Sequence, residues 1–305
     1  MNLTNKTIIK DQLKKQGIRP EKYLGQHFIL SKKSLAKIIE AAEIKKNDTI
    51  IEIGSGLGTL TQELAKTGAK IIAIEKDPKM ISILKETLVN HKNIKIVEAD
   101  ARQLLSKPTR SPTSGGLGIS GGKNGYKIVA NLPYNIATFL IRQWLELKNP
   151  PELMILMIQK EVAQRICAKP PHLNLLAVGT QFLAIAKVVD YVPAEAFWPK
   201  PKVDSAIIKI VPKKKKEMTV LLAIAKRQSF LRIVKAGFSQ PRKQLIGNLA
   251  KKLKIPREKL LEIFKNLNIP EHIRAENLSL DQWLLLVNNL YLFFKREENT
   301  PLIHN

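Results

Sequence analysis

Short apolar runs alternate with helix-length segments between residues 31 and 212. Five runs predict buried strands: Thr49–Ile53, Lys70–Ile74, Ile94–Val97, Lys127–Ala130 and Leu153–Ile158. Segments of helical length lie between them, near 59–67, 77–90 and 136–147. This alternation is typical of a parallel sheet with helices on its faces, so the pattern predicts an α/β fold.

The ends of this region give further predictions. Ser31 is suited to cap a helix that runs to Ala42, because its hydroxyl can accept from a free backbone N–H. The runs Ala186–Val192 and Ser205–Val211 are separated by a proline-rich corner. We expect them to pair antiparallel at one edge of the sheet.

Strand signals stop after residue 212, where Lys213–Lys216 begins a segment with helical spacing of apolar residues. We therefore predict a domain at 31–212 and a smaller all-α domain at 213–295, preceded by an N-terminal segment (1–30) and followed by a tail (296–305). Residues 107–125 are rich in Gly, Ser and Pro, which predicts a flexible insertion between two strands.

Composition narrows the class of partner. The chain has 305 residues, 44% of them hydrophobic, which excludes wholesale disorder, and a formal charge of +25. Such charge predicts binding to a polyanion or a membrane surface, and positive charge is denser after residue 212. The sequence has no apolar run of the roughly 18 residues that a spanning helix needs, no secretion signal and only one cysteine, Cys167. We expect a cytoplasmic protein that does not associate with membranes and holds no metal.

A glycine loop follows the first predicted strand of the sheet, with Gly54, Gly56 and Gly58 before a helix. Glycines let a ligand approach bare backbone at the carboxyl edge of the sheet. The loop lacks the Gly-Lys-Ser/Thr of a P-loop, and Thr59 stands where the dinucleotide fingerprint has its third glycine. The ligand is therefore not expected to be a pyrophosphate.

Two carboxylates end the next strands. Glu75 lies 21 residues past Gly54, the separation at which nucleotide-binding folds place an acid on the ribose hydroxyls. Asp100 ends the third strand, where it can accept a hydrogen bond from an adenine amino group. Either acid alone is usually a solvated side chain, but the ordered set predicts an adenosine-bearing cofactor without a diphosphate.

The fourth strand leads into Asn131, Leu132, Pro133 and Tyr134. Pro133 stiffens the turn, Asn131 and Leu132 offer carbonyl oxygens, and Tyr134 offers a flat ring. Such a set can hold an exocyclic amine beside a stacked base. With S-adenosylmethionine as methyl donor, positioning and dipoles supply most of the catalysis, so no His or Cys base is required. We predict that these four residues are catalytic.

These motifs resemble the KsgA-type (RsmA) small-subunit ribosomal RNA adenine N6,N6-dimethyltransferases, from about Lys22 to Leu290. The matching segments are Leu24–Phe28, Glu52–Gly58, Glu75, Asp100, Asn131–Asn135, Phe197–Ala206, Phe238–Gln240 with Arg242 and Lys243, and Arg274–Ser279. The resemblance implies a Rossmann-like methyltransferase domain with a helical RNA-binding domain. It implies S-adenosylmethionine as cofactor and dimethylation of two adjacent adenosines in the 3′-terminal hairpin of 16S rRNA, late in small-subunit assembly. The partner would be rRNA in a pre-assembled 30S particle, bound by a monomer.

The resemblance also implies roles for individual residues. The cofactor would contact His27, Ile29, Gly54, Gly56, Glu75, Asp100 and Asn131, with the N-terminal segment contributing the first two. Tyr134 and Phe197 would sandwich the target base. The chain has His27 where the family often has Asn, and Pro241 interrupts a stretch that is usually more basic.

Two alternatives remain open. A large-subunit (23S) rRNA adenine methyltransferase of the antibiotic-resistance type shares the glycine loop and the Asn131–Tyr134 element. Gly25 before Gln26 and the Val203–Ala206 segment favour the small-subunit hypothesis. A non-catalytic RNA-binding assembly factor could keep the fold, but it would have no physical need of Glu75, Asp100 and Asn131.

Overall fold

The computed structural model describes residues 1–18, 26–104, 125–214 and 227–298. The motif residues Leu24 and Gly25, nearly all of the 107–125 insertion, Lys215 and Lys216, and residues 299–305 of the tail lie outside these ranges. What the sequence predicts for them stays a prediction.

A seven-stranded sheet organises the first compact unit, which comprises residues 1–164 and 186–212. Its strands are β2 (Thr49–Ile53), β3 (Lys70–Glu75), β4 (Ile94–Glu98), β5 (Lys127–Asn131), β6 (Leu153–Gln159), β7 (Ala184–Val192) and β9 (Ser205–Pro212). A separate two-stranded sheet pairs β1 (Phe28–Ile29) with β8 (Phe197–Trp198). The five predicted strands are therefore confirmed.

The order of the main sheet is β4-β3-β2-β5-β6-β9-β7. Strands β2 to β6 pair in parallel, and β9 pairs antiparallel to β6. As predicted, the last two strands lie side by side at one edge. The chain builds outward from β2 in one direction and then returns to place β5 on its other side. In open α/β sheets a ligand crevice forms at such a switch of strand order.

Helices pack against the sheet because its central strands are largely apolar. The helices are α1 (Lys6–Lys15), α2 (Lys32–Ala42), α3 (Thr59–Ala65), α4 (Pro78–Thr87), α5 (Ala101–Leu104), α6 (Ala137–Glu146) and α7 (Lys160–Ile166). The predicted cap is confirmed, since the Ser31 hydroxyl accepts from the Ser34 N–H at 3.1 Å. Helix α1 was not predicted. It forms because Ile9 and Leu13 are buried with Leu57 and Met80 in one apolar cluster.

The second compact unit comprises residues 165–185 together with the chain after residue 212. Its described helices are α8 (Leu175–Leu183), α9 (Arg227–Gly237), α10 (Leu245–Leu253), α11 (Arg257–Asn266) and α12 (Leu280–Glu298). Residue 212 is a boundary in both the sequence and the structure. The sequence, however, assigned α8 to the sheet domain, whereas its Phe182 ring stacks on Phe230 of α9 at 4.0 Å.

Trp283 is the fully buried centre of this helical unit. Its ring stacks on Phe238 at 5.4 Å, and its indole N–H donates to the Ala275 carbonyl at 3.2 Å. Two of the motif segments thus meet at one side chain. Their role in the fold is to pack this core.

Candidate active site

The glycine loop between β2 and α3 forms a turn that only glycine adopts easily. Gly54, Gly56 and Gly58 have φ of +71°, +54° and +92°. A Cβ atom on Gly58 would lie 2.9 Å from the side chain of Leu84. The Gly54 N–H donates to the Ile74 carbonyl at 2.8 Å, which holds the loop against the end of β3. The loop therefore exposes backbone to a cavity at the carboxyl edge of the sheet.

Glu75 lies in the wall of this cavity and is 9% exposed. Its carboxylate accepts three backbone N–H groups, from Gly56 at 2.9 Å, Lys76 at 2.8 Å and Asp77 at 3.0 Å. These bonds tie the glycine loop to β3 and fix the carboxylate in place. The sequence suggested only a ligand contact for Glu75, so this bracing role was missed.

Asp100 follows β4 and also lines the cavity. It accepts from the backbone N–H of Arg102 at 2.9 Å and from the guanidinium of the same residue at 2.5 Å. The hydrogen-bonded Arg102 guanidinium holds the pKa of the Asp100 carboxyl below its usual range. Asp100 is thus an ionised acceptor whose orientation is set by Arg102.

Asn131 ends β5 on the opposite side of β2 and reaches the same cavity. Its side-chain N–H donates to the His27 carbonyl at 3.2 Å, which fixes the direction of the amide oxygen. The Pro133 ring lies against the glycine loop, where a Cβ atom on Gly54 would be 3.6 Å from it. Leu132 is 1% exposed, and its N–H donates to the Met157 carbonyl at 3.0 Å. The turn is therefore rigid and faces the glycine loop.

Tyr134 and His27 form a stacked pair, with ring centroids 5.8 Å apart and an interplanar angle of 24°. The Tyr134 hydroxyl is 2.7 Å from the Ser205 hydroxyl, and burial raises the pKa of Tyr134. His27 Nδ1 lies 2.7 Å from the Pro199 carbonyl. A carbonyl only accepts, so Nδ1 carries a hydrogen. Both rings are consequently held in fixed orientations beside the cavity.

Phe197 does not lie in the cavity lining. Its side chain is 3% exposed and belongs to the same core cluster as Ile29, Val192 and Ile207. Placed in this way, the ring offers no free face to a base, because it packs against the apolar interior. The sandwich of the target base between Tyr134 and Phe197 stays a prediction.

Two cavity residues received no role from the sequence. Glu52, inside the apolar run of β2, is 2% exposed, and its carboxylate accepts from the Thr61 hydroxyl at 2.6 Å. Burial, together with a smaller contribution from the nearby Glu75 carboxylate, raises the pKa of Glu52 to about 7. Ser55 also lines the cavity, and its hydroxyl is buried without a hydrogen-bond partner. The sequence signal that could have identified Glu52 is an acidic residue at a core position of a predicted strand.

The lining of the cavity fits an adenosine-bearing cation better than a polyphosphate. Its charged groups are mostly carboxylates, Glu52, Glu75, Asp77 and Asp100, with Lys76 and Arg102 as cations. Apolar side chains such as Phe28, Ile29, Met80 and Ile136 provide surfaces for a base. A buried hydroxyl without a partner marks a place for a polar ligand group. In the described ranges no three or more His, Cys, Asp or Glu side chains cluster as a metal site would require.

A second concave site, here called the basic groove, lies in the helical unit along α10. It is lined by Ser239, Gln240, Arg242, Lys243, Gln244, Gly247, Asn248, Lys251, Lys252, His272 and Arg274. Asn248 is nearly buried and donates to the carbonyls of Gly237 and Gln240 at 2.7 and 3.0 Å, which shapes one wall. The charged side chains that line the basic groove are all cationic, so the groove is suited to bind anions.

Within the described parts of the chain, no helix is both long and apolar enough to cross a membrane.

Comparisons with known proteins show which family the chain resembles. The family model of the ribosomal RNA adenine dimethylases matches residues 18–291. A ribosomal RNA small subunit methyltransferase A from Dehalococcoides mccartyi is 38% identical over 90% of this chain and 89% of its own length. A protein of the same name from Listeria innocua is 36% identical over 91% of this chain and 93% of its own length.

Solved structures show the same fold. A dimethyladenosine transferase from Plasmodium falciparum superposes with a TM-score of 0.70 at 26% identity, covering 89% of this chain and 98% of that chain. The 23S rRNA methyltransferase ErmE superposes with a TM-score of 0.65 at 25% identity, covering 87% of this chain and 99% of that chain. The Rossmann-like fold predicted from the motifs is thereby confirmed. The match over most of its length shows that the chain belongs to the ribosomal RNA adenine dimethylase family.

Proposed function

We propose that this enzyme uses S-adenosylmethionine to dimethylate N6 of two adjacent adenosines in the 3′-terminal hairpin of 16S rRNA, late in small-subunit assembly. One observation carries the proposal. Asn131 at the end of β5 and Pro133 in the turn after it line the same cavity as the glycine loop, Glu75 and Asp100. An amine-binding element and a nucleoside-binding element thus share one cavity.

Different residues of the cavity would contact different parts of the cofactor. Glu75 and Asp100 are oriented acceptors, which suits them to the ribose hydroxyls and the adenine amino group. Gly54 and Gly56 present backbone, and His27 and Ile29 close the wall from the N-terminal segment. When bound, S-adenosylmethionine supplies an electrophilic methyl group on a sulfonium.

The transfer needs the lone pair of an aromatic amine to point at that methyl group. The Asn131 oxygen accepts one N6 hydrogen, and the Leu132 carbonyl accepts the other. The nitrogen would then be pyramidal, with its lone pair directed at the methyl group that a bound cofactor would supply, and one N6 proton would pass to water. Tyr134 supports the base by stacking. Orientation and local dipoles stabilise the transition state.

We assign RNA binding to the helical unit. The basic groove supports this assignment, because Lys and Arg side chains bind phosphates and release their counterions. The proposed substrate is rRNA in a pre-assembled 30S particle, bound by a monomeric enzyme in the cytoplasm. The relatives named as small-subunit methyltransferases favour this substrate.

The likeness to ErmE supports a second candidate, methylation of large-subunit RNA. Incubation with unmodified 30S and 50S subunits and labelled methyl donor separates the two candidates. We expect N6,N6-dimethyladenosine from 30S subunits alone, measured by mass spectrometry of digested RNA. Product from 50S subunits alone would reverse the choice of substrate. Neither product, together with no cofactor binding in calorimetry, would favour a non-catalytic assembly factor.

A further inference from the structure

Ser205 is a fully buried serine that the proposed reaction leaves without a role. It begins strand β9 and lies opposite Gln159 of β6. The next two residues of the strand, Ala206 and Ile207, are buried and apolar. A hydroxyl in such surroundings is costly unless it has a hydrogen-bond partner. The Tyr134 hydroxyl, 71 positions away in sequence, lies 2.7 Å from it and is that partner.

This contact fixes the far end of the Tyr134 ring. The near end is fixed by the rigid turn before it, in which the Leu132 N–H donates to the Met157 carbonyl at 3.0 Å. The His27 ring stacks on Tyr134 with the centroids 5.8 Å apart. Tyr134 is nevertheless only half-buried, so part of its ring stays accessible beside the cavity. A ring anchored at both ends cannot swing away from a base that stacks on it.

The need for such an anchor differs between the two methyl transfers that give dimethyladenosine. For the first transfer N6 has two hydrogens, which the Asn131 oxygen and the Leu132 carbonyl would accept. Afterwards N6 carries one methyl group and one hydrogen, so one of these acceptors has no partner on the base. Stacking on Tyr134 does not use the N6 hydrogens and is retained. The orientation of the methylated base therefore depends more strongly on the position of the ring.

We propose that Ser205 is a positioning residue that holds the Tyr134 ring in place for the second methyl transfer to each adenosine. This inference rests on the proposed dimethylation of a base stacked on Tyr134. In the second transfer the last N6 hydrogen would pass to water as a proton, like the one before it. Because Ser205 is fully buried, it reaches neither the base nor the cofactor and acts through the Tyr134 hydroxyl. Small errors of position slow a reaction strongly when geometry supplies the catalysis.

The test follows both transfers in one turnover. Excess enzyme and S-adenosylmethionine are mixed with unmodified 30S subunits, and mass spectrometry of digested RNA measures N6-methyladenosine and N6,N6-dimethyladenosine with time. We expect Ser205→Ala to slow the second transfer about five- to tenfold, as the loss of one hydrogen bond can, and the first less than about twofold. The monomethyl product should accumulate. A loss of folded enzyme would slow both transfers equally and would not change the ratio of the products.

Two further variants show whether the pair of hydroxyls is responsible. Tyr134→Phe keeps the ring, removes only its hydroxyl and should accumulate the same product. A protein with both Tyr134→Phe and Ser205→Ala should be no slower than either single variant, since the two hydroxyls make one interaction. Ser34→Ala is the matched control, because it breaks a hydroxyl pair with Ser31 at 2.9 Å at the start of α2. It should keep both rates of the parent.

An unchanged ratio of products in Ser205→Ala or Tyr134→Phe, or additive losses in the double variant, would overturn the inference and leave the proposed function intact. Calorimetry with S-adenosylhomocysteine, the cofactor after transfer, should give the parent's affinity for every variant. Weaker binding in Ser205→Ala would show that the substitution disturbs the cofactor site, which also contradicts the positioning role. If the parent enzyme forms no dimethyladenosine on 30S subunits, the proposed function fails, and this inference fails with it.

Discussion

The cavity at the sheet edge and the basic groove of the helical unit are built in opposite ways. The cavity places a few carboxylates and one amide in fixed positions, each held by backbone or by a neighbouring side chain. The groove collects long cationic side chains along one helix and the loops beside it. A small ligand is selected by precise, buried contacts, whereas a polyanion is attracted by the sum of exposed charges.

The difference has a consequence for mutation. In the cavity one atom in a fixed place is hard to replace, so single substitutions should have large effects on chemistry or stability. In the groove the cations share one task, so single substitutions should have small effects on affinity.

The largest effect is expected at Asn131. Asn131→Ala removes the amide oxygen proposed to accept from the target amine, and removing one such group typically slows catalysis about 10²–10³-fold. Single-turnover methylation of 30S subunits measures the change. Asn90→Ala, at an exposed position, is the control and should retain the parent rate. A loss of less than tenfold in Asn131→Ala would show that the amide does not position the amine.

The pH dependence of stability tests Glu52. Its pKa is raised on folding to about 7, so its stabilising contribution is complete below the unfolded value of 4.5 and is lost as pH rises to about 7. Glu52→Gln lacks this loss. Relative to the parent, its free energy of unfolding should therefore rise by about 2 kcal/mol between pH 5 and pH 8. Urea unfolding of both proteins at pH 5 and pH 8 checks this. If the variant and the parent differ in free energy of unfolding by the same amount at both pH values, the raised pKa of Glu52 is contradicted.

Glycine substitutions should have opposite signs in the two regions. Gly58→Ala in the glycine loop is expected to cost about 1–2 kcal/mol, because φ is +92° and the new Cβ would meet Leu84. Gly247→Ala in the groove lies inside α10, where a Cβ meets no atom within 4 Å. It should stabilise the protein by about 0.5–1 kcal/mol, since alanine favours the helix. Urea unfolding of both variants at one pH measures the pair, and two changes of the same sign would contradict it.

The smallest effect is expected for single charges in the groove. Arg242→Gln should weaken RNA binding about fivefold and reduce the slope of log affinity against log salt by about one. Lys259→Gln on α11 removes the same charge outside the groove and serves as the control. Affinity for S-adenosylhomocysteine should be unchanged in both. Equal losses of RNA affinity would show that the groove is not the contact surface.

Much of the fold was predictable because periodicity reports burial directly. The strands of the sheet and the cap at Ser31 followed from local pattern, and the structure confirms them. The placement of α8 was not predictable. Its apolar positions specify a helix with a buried face but not the partner of that face, which is Phe230 in the helical unit.

The candidate site was likewise predictable only in part. Gly54, Glu75, Asp100 and Asn131 were identified from their positions at strand ends, and all four line the cavity. Phe197 was assigned by resemblance to the base, yet its ring lies in the core. Motif position gives the neighbourhood of a residue, while the direction of its side chain depends on the packing of residues distant in sequence.

The sequence by itself determined the α/β pattern, the family and the chemical types that meet at the sheet edge, because these depend on local spacing and residue chemistry. Only the tertiary structure showed that Glu75 braces the glycine loop, that Arg102 orients Asp100, and that Glu52 is buried beside an unpartnered hydroxyl. Burial and hydrogen bonding decide whether a carboxylate is ionised, and both arise from the folded surroundings.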